Sequence, residues 1–338
     1  MKGRRIKLLA VSFAVLVLAA GAFMMFLKGD KSSEAREKTV FAMDTACTAR
    51  VWGADPEAVT DEINRLDRIF DCHSGESEIS RLNSDGGGRL SAEAGELIKA
   101  SLELTGQYPQ ADISIGAVTK LWNVTGNDPK VPSDSEIQRA LKSCGCENIK
   151  LDGDSCTLEN NAQIDVGAAA KGYALDRARQ VLIDSKAGAA VVSMGSSSLV
   201  FGKKPDAKPF TVAVKDPSDK HRLLLKFTAD ECFVSTSGGY ERFFEADGKK
   251  YIHIFDKTTG RPAETDLVSA TVICDNGLKS DQLSTAVFIG GTKKLGEFFA
   301  DKSIKLIAVD TDGNIHISKE LEDKITLEDK QHKMIVEK

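Results

Sequence analysis

Residues 280–288 read SDQLSTAVF, and within them a carboxylate and a hydroxyl, Asp281 and Thr285, stand four positions apart. Leu283, Ala286, Val287 and Phe288 give the stretch the apolar content of a short buried helix, and Gly290 and Gly291 supply a stop. Positions four apart share one helix face. Near a core, a carboxylate on that face needs a cation, a ligand or a ring of donors, because burying it unpaired is costly. The competing reading is local: Asp281 caps the helix and Thr285 bonds back to a carbonyl one turn earlier. The residues alone leave both open.

A second candidate is His253 in YIHIFD, where alternation directs Tyr251, His253 and Phe255 to one face and Ile252 and Ile254 to the other. A strand histidine among aromatics reads first as a packed ring. Lys171, in AAAKGYAL, reads first as a solvated helix lysine. The seven cysteines, at 47, 72, 144, 146, 156, 232 and 274, are odd in number and cannot all pair within one chain. Cys144-Gly145-Cys146 with Cys156 has no zinc spacing and no neighbouring histidine. Free or partly paired thiols are the expectation.

The elements that must position these groups come from a chain of 338 residues, 41% hydrophobic and 28% charged, enough for a sizeable core in one large or two closely packed domains. The net charge of −5 gives no support to nucleic acid as a partner. Lys2, Arg4, Arg5 and Lys7 precede an uncharged apolar run from Leu8 to Leu27. Such a run is long enough to span a bilayer, and the basic cluster predicts a cytoplasmic N-terminus with the body outside. A single-pass cell-membrane anchor is the expectation over 1–27, with a cleaved signal peptide as the competitor. Residues 28–39 then read as a linker, 40–318 as the body and 319–338 as a solvated charged tail.

Within the body, FAMDTACTARVWG (41–53) reads as a strand, and helices are expected over 55–70, 91–105, 134–143 with Ser133 as cap, and 168–188. Residues 71–88 read as a loop. Strand patterns dominate after residue 188, and Asp312-Gly313 marks a hairpin turn. Mixed strands and helices, with antiparallel-looking strands in the later half, predict an α+β fold. No dinucleotide-fold glycine fingerprint or Walker motif occurs.

Four ordered stretches now line up: SEISRLN (77–83), DVGAAAKGYALDRA (165–178), VSTSGGYERFF (234–244) with HIFDKTTGRP (253–262), and SDQLSTAVFIGG (280–291). Together they resemble the ApbE-like FAD:protein FMN transferases, over roughly residues 40–318. The resemblance implies an ApbE-like, T-fold-like arrangement of largely antiparallel sheets with packed helices. It also implies transfer of FMN from FAD, as substrate, to a Ser or Thr hydroxyl of an exported acceptor protein, with release of AMP. Magnesium is the implied metal, held by Asp281, Thr285 and the backbone oxygen of Ala168. Flavin contacts fall on Met43, His73, the turn Gln110-Ala111-Asp112, Asp165, Lys171 and Phe255. His253 takes the role of general base, with Asp281 the other catalytic residue. Met194-Gly195-Ser196-Ser197-Ser198 departs from the family's frequent Gly-Gly-Asn, which bears on one wall of the site. Flavin capture without catalysis and metal-dependent FAD hydrolysis are the alternatives, but capture alone needs no metal ligands.

Overall fold

The computed structural model describes residues 34–72, 74–328 and 332–337. The apolar N-terminal run and His73 lie outside them, and among the described residues no helix is long and apolar enough to cross a membrane.

The described chain opens with a hairpin, β1 (Ala35–Ala42) and β2 (Thr45–Trp52), followed by α1 (Pro56–Phe70), α2 (Glu78–Asp85), β3 (Gly87–Arg89), α3 (Ala92–Gln107), α4 (Gly116–Trp122) and α5 (Asp134–Leu141). A small hairpin, β4 (Ile149–Asp152) and β5 (Ser155–Leu158), leads to α6 (Ala170–Asp184). Then come β6 (Ala189–Met194), β7 (Ser197–Gly202), β8 (Phe210–Asp216), β9 (Asp219–Ala229), β10 (Cys232–Gly238), β11 (Phe243–Ala246), β12 (Lys249–Ile252), β13 (Phe255–Asp256), β14 (Arg261–Pro262) and β15 (Leu267–Cys274). The chain ends with α7 (Gly277–Gly290), α8 (Leu295–Ala300), β16 (Lys305–Asp310), β17 (Asn314–Ser318), β18 (Ile325–Leu327) and β19 (Lys333–Glu337).

Among the described residues the main sheet runs β1-β2-β6-β7-β10-β15-β16-β17-β19, antiparallel except for the parallel β17–β19 pair. The α+β expectation is met. Helices α1, α3 and α6 bury Ile63, Leu66, Leu97, Leu175 and Leu182 against Val192 and Leu199 of the sheet. Helix α7 buries Leu283, Val287 and Phe288 against Val272 and Leu306. The opposite face of the same strands, through Ile273 and Ile307, meets Leu225 and Phe227 of β9, part of a small sheet of β8, β9 and β18. Strands β15 and β16 are therefore buried on both faces, which is why LVSATVIC and KLIAV are apolar runs without alternation. Each such Leu, Ile or Phe contributes roughly 1.5–3 kcal/mol on burial.

Local chemistry sets the helix starts. Asp55 caps α1 with Pro56 in the first turn, Ser91 caps α3, and Ser133 with Glu136 forms a full capping box on α5. Four expectations need correction. Residues 35–39 belong to β1, so part of the expected linker is strand, and 41–53 is a hairpin turn with its second strand. Met43 and Asp44 make that turn with φ of 50° and 56°. Residues 78–85, expected as loop, form α2: its cap Ser77 and buried Ile79 and Leu82 are too few to give a periodic signal. The tail after 318 carries β18 and β19, where Ile325, Leu327, Met334 and Val336 pack on the core shared with β9. Finally, the Tyr251–Phe255 alternation breaks, because β12 ends at Ile252 and β13 starts at Phe255, leaving His253 between strands.

Candidate active site

Helices α6 and α7 cross so closely that a Cβ on Gly172 would strike the Gly277 carbonyl and lie 2.6 Å from the Asp281 Cβ. The Gly172 N–H donates to Asp281 Oδ2 at 2.9 Å, and the Ser197 hydroxyl donates to Oδ1 at 2.8 Å. Gly172 lies in the first turn of α6, where backbone N–H groups have no intrahelical acceptor, and Asp281 supplies one. From α6, Asp176 accepts the Gly277 and Leu278 N–H groups at 2.7 and 2.8 Å, two of the otherwise unpaired donors at the start of α7. Burial pushes the Asp176 carboxyl up to about 6 against these two bonds.

The local reading of SDQLSTAVF fails on two points. Asn276, not Asp281, caps α7, and it is Ser284 that bonds back to the Asp281 carbonyl, while Thr285 Oγ1 lies 3.0 Å from Ser237 Oγ. Asp281 is 5% exposed in the middle of the helix, held by two donors that fix its orientation.

Asp281, Thr285 and Ala168 edge a half-open cavity of about 260 Å³. Met43, Gln110, Ala111, Asp112, Asp165, Lys171, His253 and Phe255 line the same cavity, so every described residue singled out from sequence converges there. Their engagements differ. The Met43 N–H is anchored to Asp67 Oδ1 at 2.7 Å. Asp165 Oδ1 accepts the Gly167 N–H, and Phe255 packs its ring 6.0 Å from that of Trp122. Asp112 is the most constrained: Lys257 Nζ at 2.7 Å, the Ser114 N–H at 2.8 Å and the Cys146 thiol at 3.1 Å all donate to its carboxylate. Burial opposes its ionisation, but these donors hold the Asp112 carboxyl below the usual carboxylate range. All seven cysteines are free thiols.

His253 Nδ1 lies 3.0 Å from the Arg242 carbonyl. A carbonyl only accepts, so Nδ1 carries the proton and Nε2 keeps its lone pair. Burial, reinforced by the positive charges of Arg242 and Lys171, pushes the ring down to about 4. The imidazole is thus neutral near pH 7, with its lone pair on Nε2.

Sequence reasoning missed Gln282 and the pair Glu241-Arg242, which line the cavity, and Ser197 and Gly172, which hold Asp281. Ser197 directly follows the Gly195-Ser196 turn, where Gly195 sits at φ 65° with Thr45 against the place of its absent Cβ. Arg242 reaches back to the β1–β2 turn, donating to the Asp44 carbonyl at 3.0 Å.

Among the described residues no group of three His, Cys, Asp or Glu side chains is placed to hold a metal. One carboxylate, one hydroxyl and one carbonyl instead make a sparse set of hard oxygen donors, which suits a cation that completes its shell with water and ligand phosphates, as magnesium does. Fold and site together define an α+β protein with a half-open cleft edged by Asp281, Thr285 and Ala168 and lined also by a neutral imidazole. The chain belongs to the ApbE family, whose model matches residues 43–308. It is similar to the FAD:protein FMN transferases of Klebsiella pneumoniae, at 29% identity over 69% of this chain and 74% of that one, and of Escherichia coli K12, at 24% over 90% and 94%. Among solved structures, an ApbE protein from Thermotoga maritima superposes with a TM-score of 0.80 at 31% identity, covering 85% of this chain and 98% of that one. The Pseudomonas stutzeri flavinyl transferase ApbE, in apo form, gives 0.72 at 25% identity, with 82% and 91% covered.

Proposed function

We propose that this protein transfers FMN from FAD to a Ser or Thr hydroxyl of an exported acceptor protein, with magnesium, and releases AMP. One arrangement carries the reading: Asp281, Thr285 and the Ala168 carbonyl edge the same cavity as a histidine whose Nε2 is free to take a proton. Asp281, Thr285 and the Ala168 carbonyl would hold magnesium, which would supply positive charge to the pyrophosphate oxygens. The protein's own groups do the rest. Gly172 and Ser197 hold the Asp281 carboxylate in one orientation. The turn at 110–112, with Asp165, Lys171 and Phe255, forms the walls that orient the flavin. His253 Nε2 takes the proton of the acceptor hydroxyl as its oxygen bonds to the FMN phosphorus, and the bond from that phosphorus to the AMP oxygen breaks.

The cavity volume falls near the lower end of small-molecule sites, roughly 300 Å³. A dinucleotide therefore fills it and projects from the open side, where an acceptor chain has access. The basic residues ahead of the apolar run support a body outside the cytoplasm, with residues 1–27 as a signal anchor or a cleaved signal peptide. Titration of the protein with FAD and with riboflavin, each with and without magnesium, tests the ligand. FAD should bind more tightly, and only its binding should depend on the metal; equal, weak binding of both would remove the dinucleotide as ligand.

A further inference from the structure

Next to Asp281 in the chain, Gln282 is 1% exposed, yet it carries a polar amide where a leucine or methionine would fill the same space. Its Nε2 lies 3.0 Å from the Ser101 carbonyl, 3.1 Å from Thr105 Oγ1 and 3.0 Å from the Ala111 carbonyl. Thr105 Oγ1 in turn lies 2.9 Å from the Ser101 carbonyl and 3.0 Å from that of Ala111. Two amide hydrogens and one hydroxyl hydrogen thus meet three acceptors, and the set closes. The opposite amide orientation would face Oε1 to the same three acceptors with a single hydrogen among them. Oε1 therefore points away, and it is buried without a hydrogen-bond partner among the described residues. Burying an acceptor unpaired opposes folding. Packing does not account for this choice of residue; the three bonds do.

Those bonds join two segments that line the cavity. Helix α7 carries Asp281 and Thr285 on either side of Gln282, while the Ala111 carbonyl belongs to the turn that brings Gln110 and Asp112 to the same cavity. We infer that Gln282 is a positioning residue that, with Thr105, latches the 110–112 turn to α7 and so fixes how these two walls of the site stand to each other. The inference rests on the flavin-transfer reading above and goes beyond it by naming what fixes the 110–112 wall of the ligand pocket. A ligand that touches both walls feels a loosened latch; a cation held by Asp281, Thr285 and the Ala168 carbonyl makes no contact with the turn.

The test is Gln282→Leu in the full chain, which keeps the volume and removes the donors. The KM for FAD should rise about tenfold while kcat at saturating FAD changes less than about threefold, the signature of lost ground-state binding. The magnesium dependence should stay the same. Hydrogen exchange at residues 108–115 should quicken while that of 277–290 holds. Thr105→Val should act the same way to a smaller extent, and the double variant should fall short of the sum, because both side chains serve the same two carbonyls, of Ser101 and Ala111. Unchanged exchange at 108–115, or kcat falling as far as kcat/KM, overturns the latch. If Gln282→Leu does not fold, Thr105→Val decides by the same readouts. If the unaltered protein does not bind FAD, the flavin-transfer reading falls by itself, and exchange at 108–115 still decides whether Gln282 holds the turn.

Discussion

On one wall of the cleft, Asp281 is fixed by Gly172 and Ser197 inside a helix crossing too tight for a methyl group. On the other, His253 sits between two short strands, its Nδ1 and its backbone N–H both directed at the carbonyl of Arg242. Arg242 itself is tied to the β1–β2 turn partly through an ion pair with Asp44 whose side chains are 40% and 59% exposed, and such pairs contribute little. The Asp281 wall is built by core packing; the buried His253 hangs on an Arg242 that is itself tied down at the surface. On the proposed reading the difference suits the two tasks. A cation site would need donors that do not move, whereas a base that meets an incoming protein hydroxyl would need a wall that can give.

The contrast breaks first at Asp281. Asp281→Asn keeps the shape but withdraws the net charge, and metal-dependent turnover should fall by roughly 10³–10⁴-fold with little change in melting temperature. Thr285→Val should act in the same direction and less severely. Steady-state rates across a magnesium series are the check, and a variant with ordinary activity at ordinary magnesium would return Asp281 to a purely structural role.

At the other wall, His253→Ala should slow transfer by about 10²–10³-fold with FAD affinity nearly unchanged. Because the ring is pushed down to about 4, the unaltered protein should hold its rate as pH falls through 6 and lose it only near 4, where Nε2 gains a proton. Parallel loss of FAD binding and transfer in the variant would make His253 a wall of the pocket and not a base.

Gly172→Ala probes the crossing itself. The added methyl meets the Gly277 carbonyl and the Asp281 side chain, so α6 and α7 must separate. Overpacking of this kind costs about 1–3 kcal/mol, which thermal unfolding should register, together with loss of metal dependence. An alanine variant as stable and as metal-responsive as the parent would mean the close approach is not what orients Asp281.

The smallest effect is expected at Asp176, whose carboxyl titrates near 6 in the folded protein and near 3.8 when unfolded. Between those values the folded state binds a proton that the unfolded chain does not. The contribution of Asp176 to stability is thus largest below about pH 4 and is lost as pH rises through 6. Asp176→Asn should remove that slope from the difference between the two proteins' stability curves, and identical pH dependence of both would contradict the assignment.

Much of this was legible in the residues. The α7 stretch declared itself by an apolar run with a glycine stop, and the caps Asp55, Ser91 and Ser133 stood where helix starts were expected. What escaped has physical reasons. Strand β1 is polar on both faces, being an edge strand with Arg36, Glu37 and Lys38, so it reads like a linker. Ser197 and Gln282 gain their roles only from partners 84 and 171–181 positions away, which no local pattern reveals. Gly172 reads as a weak point in a helix until the partner glycine at 277 is seen across from it. The alternation at His253 misled because a chain break in pairing, not a change in sequence type, ends β12.

The central claim is that one cavity joins a cation site to a base that activates a protein hydroxyl. Incubating the full chain with FAD, magnesium and candidate exported proteins, and weighing those proteins intact by mass spectrometry, tests it most directly. An FMN-sized addition on a Ser or Thr of an acceptor, matched by AMP and absent when the metal is chelated, is the predicted result. FAD cleaved to free FMN and AMP with every protein mass unchanged would contradict it and make water, not a protein hydroxyl, the acceptor.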